Sequence, residues 1–136
     1  MECTLVLIKP DGVRRGLVGE IISFYERKNM RIREIRMLKA TKKEAEEHYV
    51  EHKGREYFDK LITYITADNI CAIIVEGEAA IQNVRVIHGD KNPLKADTGS
   101  IRGMYSSNTT ENLVHASDTP ENAKREIKIW FPDFEL

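Results

Sequence analysis

Cysteine is scarce in this chain. Cys3 and Cys71 are the only two among 136 residues, and they lack both CxxC spacing and the dense, even pattern of a secreted disulfide scaffold. That excludes a stapled extracellular module and favours a reducing compartment. Net charge is nearly absent, with 21 Lys+Arg against 22 Asp+Glu, so no nucleic-acid coat or membrane-surface protein is indicated. Any phosphate must be bound locally. The first apolar run turns polar at Lys9, too early for a signal h-region or a membrane span, which points to the cytoplasm. Neither GxxxxGK[ST] nor GxGxxG occurs, so neither a P-loop nor a dinucleotide fingerprint supplies a phosphate cradle. No internal repeat and no linker divides the chain. With 41% hydrophobic residues, residues 1–136 are expected to form a single domain with one core.

What is present is alternation of element types. Thr4 to Ile8 reads as a strand stopped by Lys9-Pro10-Asp11-Gly12, a turn in which Pro fixes φ and Gly accepts positive φ. Leu17, Val18, Ile21, Ile22 and Tyr25 share one helical face. Met30 to Met37 alternates at period two with a slip between Ile32 and Ile35, which predicts a bulged strand. Thr41-Lys42-Lys43-Glu44 is a capping-box pattern and starts a helix running to about Lys53. Tyr57, Phe58, Leu61, Ile62 and Ile65 make the second member of a helical pair, and Asn69 to Val75 has the character of a buried strand. Ala80, Ile81, Val84 and Ile87 mark another helix. His88 to Ser100 is an unusually long loop, of the kind that is functional or packs on a partner. A short strand at Asn112–His115 and a helix opened by Thr119-Pro120 complete the order β, α, β, αα, β, α, loop, β, α. Periodicity alone leaves open a doubly wound sheet or a ferredoxin-like βαββαβ arrangement with an extra helical pair.

His48-Tyr49-Val50-Glu51-His52 matches H-x-x-E-H, a zinc-hydrolase pattern. No third ligand accompanies it, and a solvated helix face accounts for its charges. Lys9, Arg85, Arg102 and His115 are candidates for handling phosphate. Taken singly, each cation reads as a solvated charge and the histidine as a hydrogen-bonded core residue; their joint placement is what counts.

Asn112-Leu113-Val114-His115-Ala116-Ser117-Asp118 is similar to the N-x-x-H-[GA]-S-D segment of nucleoside diphosphate kinases. Further matches are Thr4 through Val13, Arg15 through Ile22, His48-Tyr49, Arg85, Gly89 with Asn92-Pro93, and Ile101-Arg102-Gly103, so the resemblance covers nearly the whole chain. It implies an α+β fold: a ferredoxin-like βαββαβ core, its antiparallel sheet covered by helices, with an added helical pair and a long loop.

The resemblance also implies a ping-pong phosphotransferase, moving the γ-phosphoryl of ATP or another nucleoside triphosphate onto His115 and then to a nucleoside diphosphate. Glu126 would fix the imidazole tautomer, with Ser117 supporting Glu126. Lys9, Arg85 and Arg102 match the family's phosphate-binding cations, Tyr49 its hydroxyl beside the histidine, and Asn112 its ribose-contacting amide. Tyr57 and Leu61 fall where the base is sandwiched, which makes stacking tolerant of base identity. Mg2+ would arrive on the nucleotide phosphates, with no metal site in the protein itself. Lys91 stands where a phosphate-contacting Thr is usual, Ala116 where Gly is more common, and Met104 where many members have Asp. Ala116 requires a negative φ at its position. The long loop resembles an interface loop, so a homo-oligomer is expected, with a hexamer favoured and a tetramer or dimer as the alternatives. A βαββαβ RNA-binding module is the competing reading, but it needs stacking aromatics on the sheet, and Asn69 to Val75 has none. An inactive scaffold is disfavoured by retention of Lys9, Arg102, Asn112, His115, Ser117 and Glu126. No membrane and no specific nucleic acid is expected as partner.

Overall fold

A computed structural model describes residues 1–136. Four strands, β1 (Glu2–Ile8), β2 (Arg31–Leu38), β3 (Ile70–Gly77) and β4 (Val114–Ala116), form one sheet in the order β2-β3-β1-β4, every neighbouring pair antiparallel. This is the ferredoxin-like order, which decides between the two arrangements left open by periodicity. The bulge in β2 is present as a register shift between Ile32 and Glu34.

Both faces of the sheet are covered, and this explains the continuous apolar runs of β1 and β3. Side chains alternate across a strand, so Val6 and Ile8 join Ile73 and Val75 in one cluster, while Leu5 and Leu7 join Ala72 and Ile74 in another. The first cluster packs on helix α2 (Val18–Arg27), through Ile21 and Tyr25, and on helix α5 (Ala80–His88), through Ala80 and Val84. The second packs on α3 (Lys42–His48), α4 (Phe58–Thr66) and α7 (Pro120–Trp130), through Ala45, Ile65, Ile127 and Trp130.

Thr41 caps α3 with the full reciprocal capping box. The helix nevertheless ends at His48, short of the expected Lys53. Beyond Tyr49 the ladder tightens from i−4 to i−3 bonding, with His52 N donating to Tyr49 O and Lys53 N to Val50 O, and Val50–His52 form a 3₁₀ turn. The turn expected at Pro10-Asp11-Gly12 is instead one turn of helix, α1 (Pro10–Arg14), with Pro at its start. A second short helix, α6 (Ile101–Tyr105), follows the long loop and is capped by Ser100 Oγ accepting from Gly103 N. Gly103 is required there, because a Cβ would lie 1.9 Å from Asp97 O.

Candidate active site

β1 ends at Ile8, so Lys9 emerges at the C-terminal end of this interior strand, next to β4, the partner strand that carries His115 opposite Leu7. Lys9 Nζ donates to Asn112 Oδ1 at 2.8 Å. Burial, and then the Arg102 charge, pushes the Lys9 pKa down to about 8. In α7 the positions Ala123, Glu126, Ile127 and Trp130 form the buried stripe, spaced i, i+3, i+4, i+7. Glu126 is therefore a carboxylate on an otherwise apolar face. It is satisfied there: Oε1 accepts from His115 Nε2 at 2.9 Å and from Ser117 Oγ at 2.7 Å, and Arg125 approaches Oε2 at 3.6 Å.

Arg102 is buried on α6 and uses three donors on backbone carbonyls: Nε to Asn112, Nη1 to Gly89 at 2.8 Å and Nη2 to Val114 at 2.6 Å. A guanidinium has five N–H groups, so two remain for a ligand. The side chain thus ties the end of α5 to the segment that carries His115. Burial lowers its pKa to about 10, still charged at neutral pH. Gly89, at φ +85°, makes this junction possible, since a Cβ there would meet Ser100 Oγ at 2.3 Å.

Of the eleven residues singled out from the sequence, ten line one cleft of about 880 Å³: Lys9, Tyr49, Tyr57, Leu61, Arg85, Lys91, Arg102, Asn112, His115 and Glu126. Ser117 lies behind the cleft, bonded to Glu126. Lys9, Lys60, Arg85, Lys91, Arg102 and Arg125 line it against Glu51, Asp90, Asp118 and Glu126, so its balance is cationic although the chain's is not. Arg85, Lys91 and Tyr57 are exposed at its walls, and the Tyr49 hydroxyl is pushed up to about 12 by burial. Ala116 is outside the positive-φ region, as its side chain requires. Nothing in the structure explains Met104, which is half exposed.

The H-x-x-E-H segment is not a solvated helix face. His48 is 3% exposed and its Nδ1 accepts from Trp130 Nε1 at 3.1 Å, whereas His52, at the cleft, shares a 2.8 Å bond between its Nδ1 and the Tyr57 hydroxyl. The helix ends between the two histidines, so they do not share a metal-binding face. His48, His115 and Glu126 do converge, with ligating atoms within 4.8 Å of one another. Within this group Glu126 Oε1 accepts from both His115 and Ser117, and His48 Nδ1 accepts from Trp130.

Asp11 was not anticipated. Its buried carboxylate accepts from the Tyr64 hydroxyl and from Leu113 N. The sequence offered it only as a turn residue, since both partners are distant in the chain.

The chain matches the family model described as nucleoside diphosphate kinase over residues 2–136. It belongs to the nucleoside diphosphate kinase family. A nucleoside diphosphate kinase of Staphylothermus marinus is 51% identical over 135 residues, 99% of this chain and 96% of that one. One from Archaeoglobus fulgidus is 46% identical over 136 residues, 100% and 90% of the two chains. Among solved structures, a nucleoside diphosphate kinase family protein from Babesia bovis superposes with a TM-score of 0.95 at 35% identity, covering 100% of this chain and 95% of that one. The apo nucleoside diphosphate kinase of Encephalitozoon cuniculi gives 0.94 at 32% identity over 98% and 90%. The family's fold and the cleft's cationic lining are thus found together in one chain.

Proposed function

We propose that the chain, acting as one domain, transfers the γ-phosphoryl of ATP and other nucleoside triphosphates to nucleoside diphosphates through a phosphohistidine on His115. The observation that carries this reading is the His115 Nε2 to Glu126 Oε1 bond at 2.9 Å. A carboxylate only accepts, so it holds the imidazole proton on Nε2 and leaves the Nδ1 lone pair free to attack.

The Nδ1–P bond forms as the bond from phosphorus to the bridging oxygen breaks, its electron pair leaving with the diphosphate. The imidazole gains positive charge, which Glu126 offsets in a site it shares with Ser117. Charge developing on the phosphoryl oxygens faces Lys9, Arg85 and the two unspent N–H groups of Arg102, with the Tyr49 hydroxyl beside them. Lys91 adds a further positive charge at the rim. Tyr57 and Leu61 receive the base, and Asn112, now bonded to Lys9, turns to the ribose. Mg2+ enters as part of the substrate, on the phosphates. The second half-reaction returns the phosphoryl to an acceptor diphosphate by the reverse path.

The working form is a homo-oligomer in the cytoplasm, a hexamer in preference to a tetramer or dimer. Supporting this, β2 is an open sheet edge exposing Ile35 at 51% and Met37 at 52%, and the long loop exposes Leu94 at 94%. Sedimentation equilibrium should show an assembly at micromolar concentration; a monomer there refutes it. For the reaction, γ-labelled ATP with Mg2+ should label the protein, and a GDP chase should move the label to GTP. Label that stays on the protein overturns the ping-pong reading.

A further inference from the structure

Three buried side-chain polar atoms have no hydrogen-bond partner: Thr4 Oγ1, His48 Nε2 and His88 Nδ1. Of these, His48 Nε2 belongs to the ring packed against the proposed nucleophile. His48 Nδ1 accepts from Trp130 Nε1 at 3.1 Å. Indole nitrogen only donates, so Nδ1 must present its lone pair and the proton of the neutral imidazole must sit on Nε2. Burial, together with the nearby His115, Arg125 and Lys9, keeps the ring neutral by pushing its pKa well below the ordinary histidine value. The orphaned atom is therefore an N–H donor whose tautomer Trp130 has set.

No acceptor bonds to it, and its ring lies against the proposed nucleophile. The His48 and His115 rings meet edge to face, with centroids 4.4 Å apart and planes at 77°. Glu126 Oε1 already accepts from His115 and Ser117, and it makes no bond to His48. A metal at this triad would need the Nε2 lone pair, which the Trp130 bond converts to N–H.

We propose that His48 is a further catalytic residue: its Nε2–H donates to a phosphoryl oxygen of phosphohistidine 115, and Trp130 is the positioning residue that fixes its tautomer. This rests on the reading of His115 as nucleophile. His48 exchanges no proton in the step; it gains an acceptor when the Nδ1–P bond forms, and loses it when the phosphoryl leaves. An unpartnered donor in the free enzyme that becomes partnered in the phosphoenzyme is an interaction realised only along the reaction, the kind that raises rate rather than ground-state binding.

The test uses the full-length enzyme, phosphorylated with ATP and Mg2+ and freed of nucleotide, with 15N-labelled histidine. In the free enzyme His48 should show the Nε2–H tautomer, and phosphorylation should move that proton resonance downfield. Trp130→Phe should let the proton shift to Nδ1 and lower the ratio of phosphoenzyme to free enzyme at fixed ATP and ADP by about tenfold, the size of one hydrogen bond to a charged acceptor. His48→Phe should do the same with the nucleotide KM little changed, and His48→Gln, which keeps an amide donor, should recover part of the loss. A His48 resonance unmoved by phosphorylation of the wild-type protein overturns the proposal, whether or not the variants fold. So does a wild-type phosphoenzyme ratio in His48→Phe. Absence of an acid-labile, base-stable label on His115 would instead defeat the nucleophile reading itself, and the two failures are thereby distinguished.

Discussion

Asp11 accepts a hydrogen bond from the Leu113 amide at 3.1 Å across 102 positions of sequence, and Leu113 holds φ at +76°. A branched residue in the left-handed region is strained and persists only where its surroundings over-determine it. Here Asp11 takes the Leu113 N–H while Lys9 N donates to Leu113 O at 2.8 Å. The turn so held sets Asn112 on one side and His115 on the other.

Asp11→Ala should therefore cost stability and activity together. The buried Leu113 amide loses its acceptor, a loss of about 1–3 kcal/mol, whereas the Tyr64 hydroxyl, half-buried at the cleft, can turn to water. Misplacing His115 should lower kcat more than it raises KM. Urea unfolding and steady-state kinetics on the same preparation check both; a variant with full kcat would show that the strained turn does not depend on Asp11.

Legibility in the sequence followed the range of the interactions. The alternation of Leu5 and Leu7 with Val6 and Ile8, the slip at Ile32, and the Thr41 box are local patterns, and each has its structural counterpart. The end of α3 at His48 was not legible, because what draws His48 inward is Trp130, 82 residues away. Asp11 was hidden for the same reason. Arg102 was visible as a cation, but its three bonds to carbonyls have no sequence signature.

Catalytic efficiency should fall on the alkaline side sooner than a free lysine would allow. Lys9 is held down to about 8 by burial and by Arg102, so the free enzyme loses this charge as pH rises through that value. Below it the ammonium is present and triphosphate binding is strongest. A plot of log kcat/KM should bend downward near pH 8, since kcat/KM reports the free enzyme. Lys9→Arg should shift the bend to higher pH, even if the rate falls; an unchanged bend would remove Lys9 as its source.

Acid should weaken the fold before carboxylates titrate. His88 is buried with Nε2 bonded to the Tyr25 hydroxyl at 2.6 Å, and burial with the Arg102 charge pushes its pKa well down. The unfolded chain takes up a proton near pH 6.5 where the fold does not, so stability is full above that pH and declines below it. One such histidine accounts for on the order of 1 kcal/mol between pH 7.5 and 5.5, and His48 adds to it. The double variant Tyr25→Phe with His88→Leu should flatten the dependence of the urea midpoint over this range. An unaltered slope would assign the acid lability to other groups.

Glu126 and Ser117 should differ in what their loss does. Glu126 holds the Nε2 proton of His115, so Glu126→Ala frees the imidazole to adopt either tautomer and removes the charge that offsets the phosphoimidazolium. Orienting groups of this kind are typically worth about 10 to 100-fold. Ser117 touches only Glu126 and the Leu5 backbone, so Ser117→Ala should cost less, with Glu126 still bonded to His115. In the double variant the two effects should not add, because the serine acts through the carboxylate. His115→Ala should abolish transfer while leaving nucleotide affinity nearly unchanged, since the cleft's cations remain together with Tyr57 and Leu61, the pair proposed to receive the base. The bond made by His115 is identifiable chemically: an N-phosphoimidazole survives base and is lost in acid, unlike a phosphoester on Ser117 or an acyl phosphate on Glu126. Acid and base treatment of the labelled wild type, with single-turnover rates for each variant, therefore separates nucleophile from support. An acid-labile phosphoenzyme and full turnover in His115→Ala would mean that another group carries the phosphoryl.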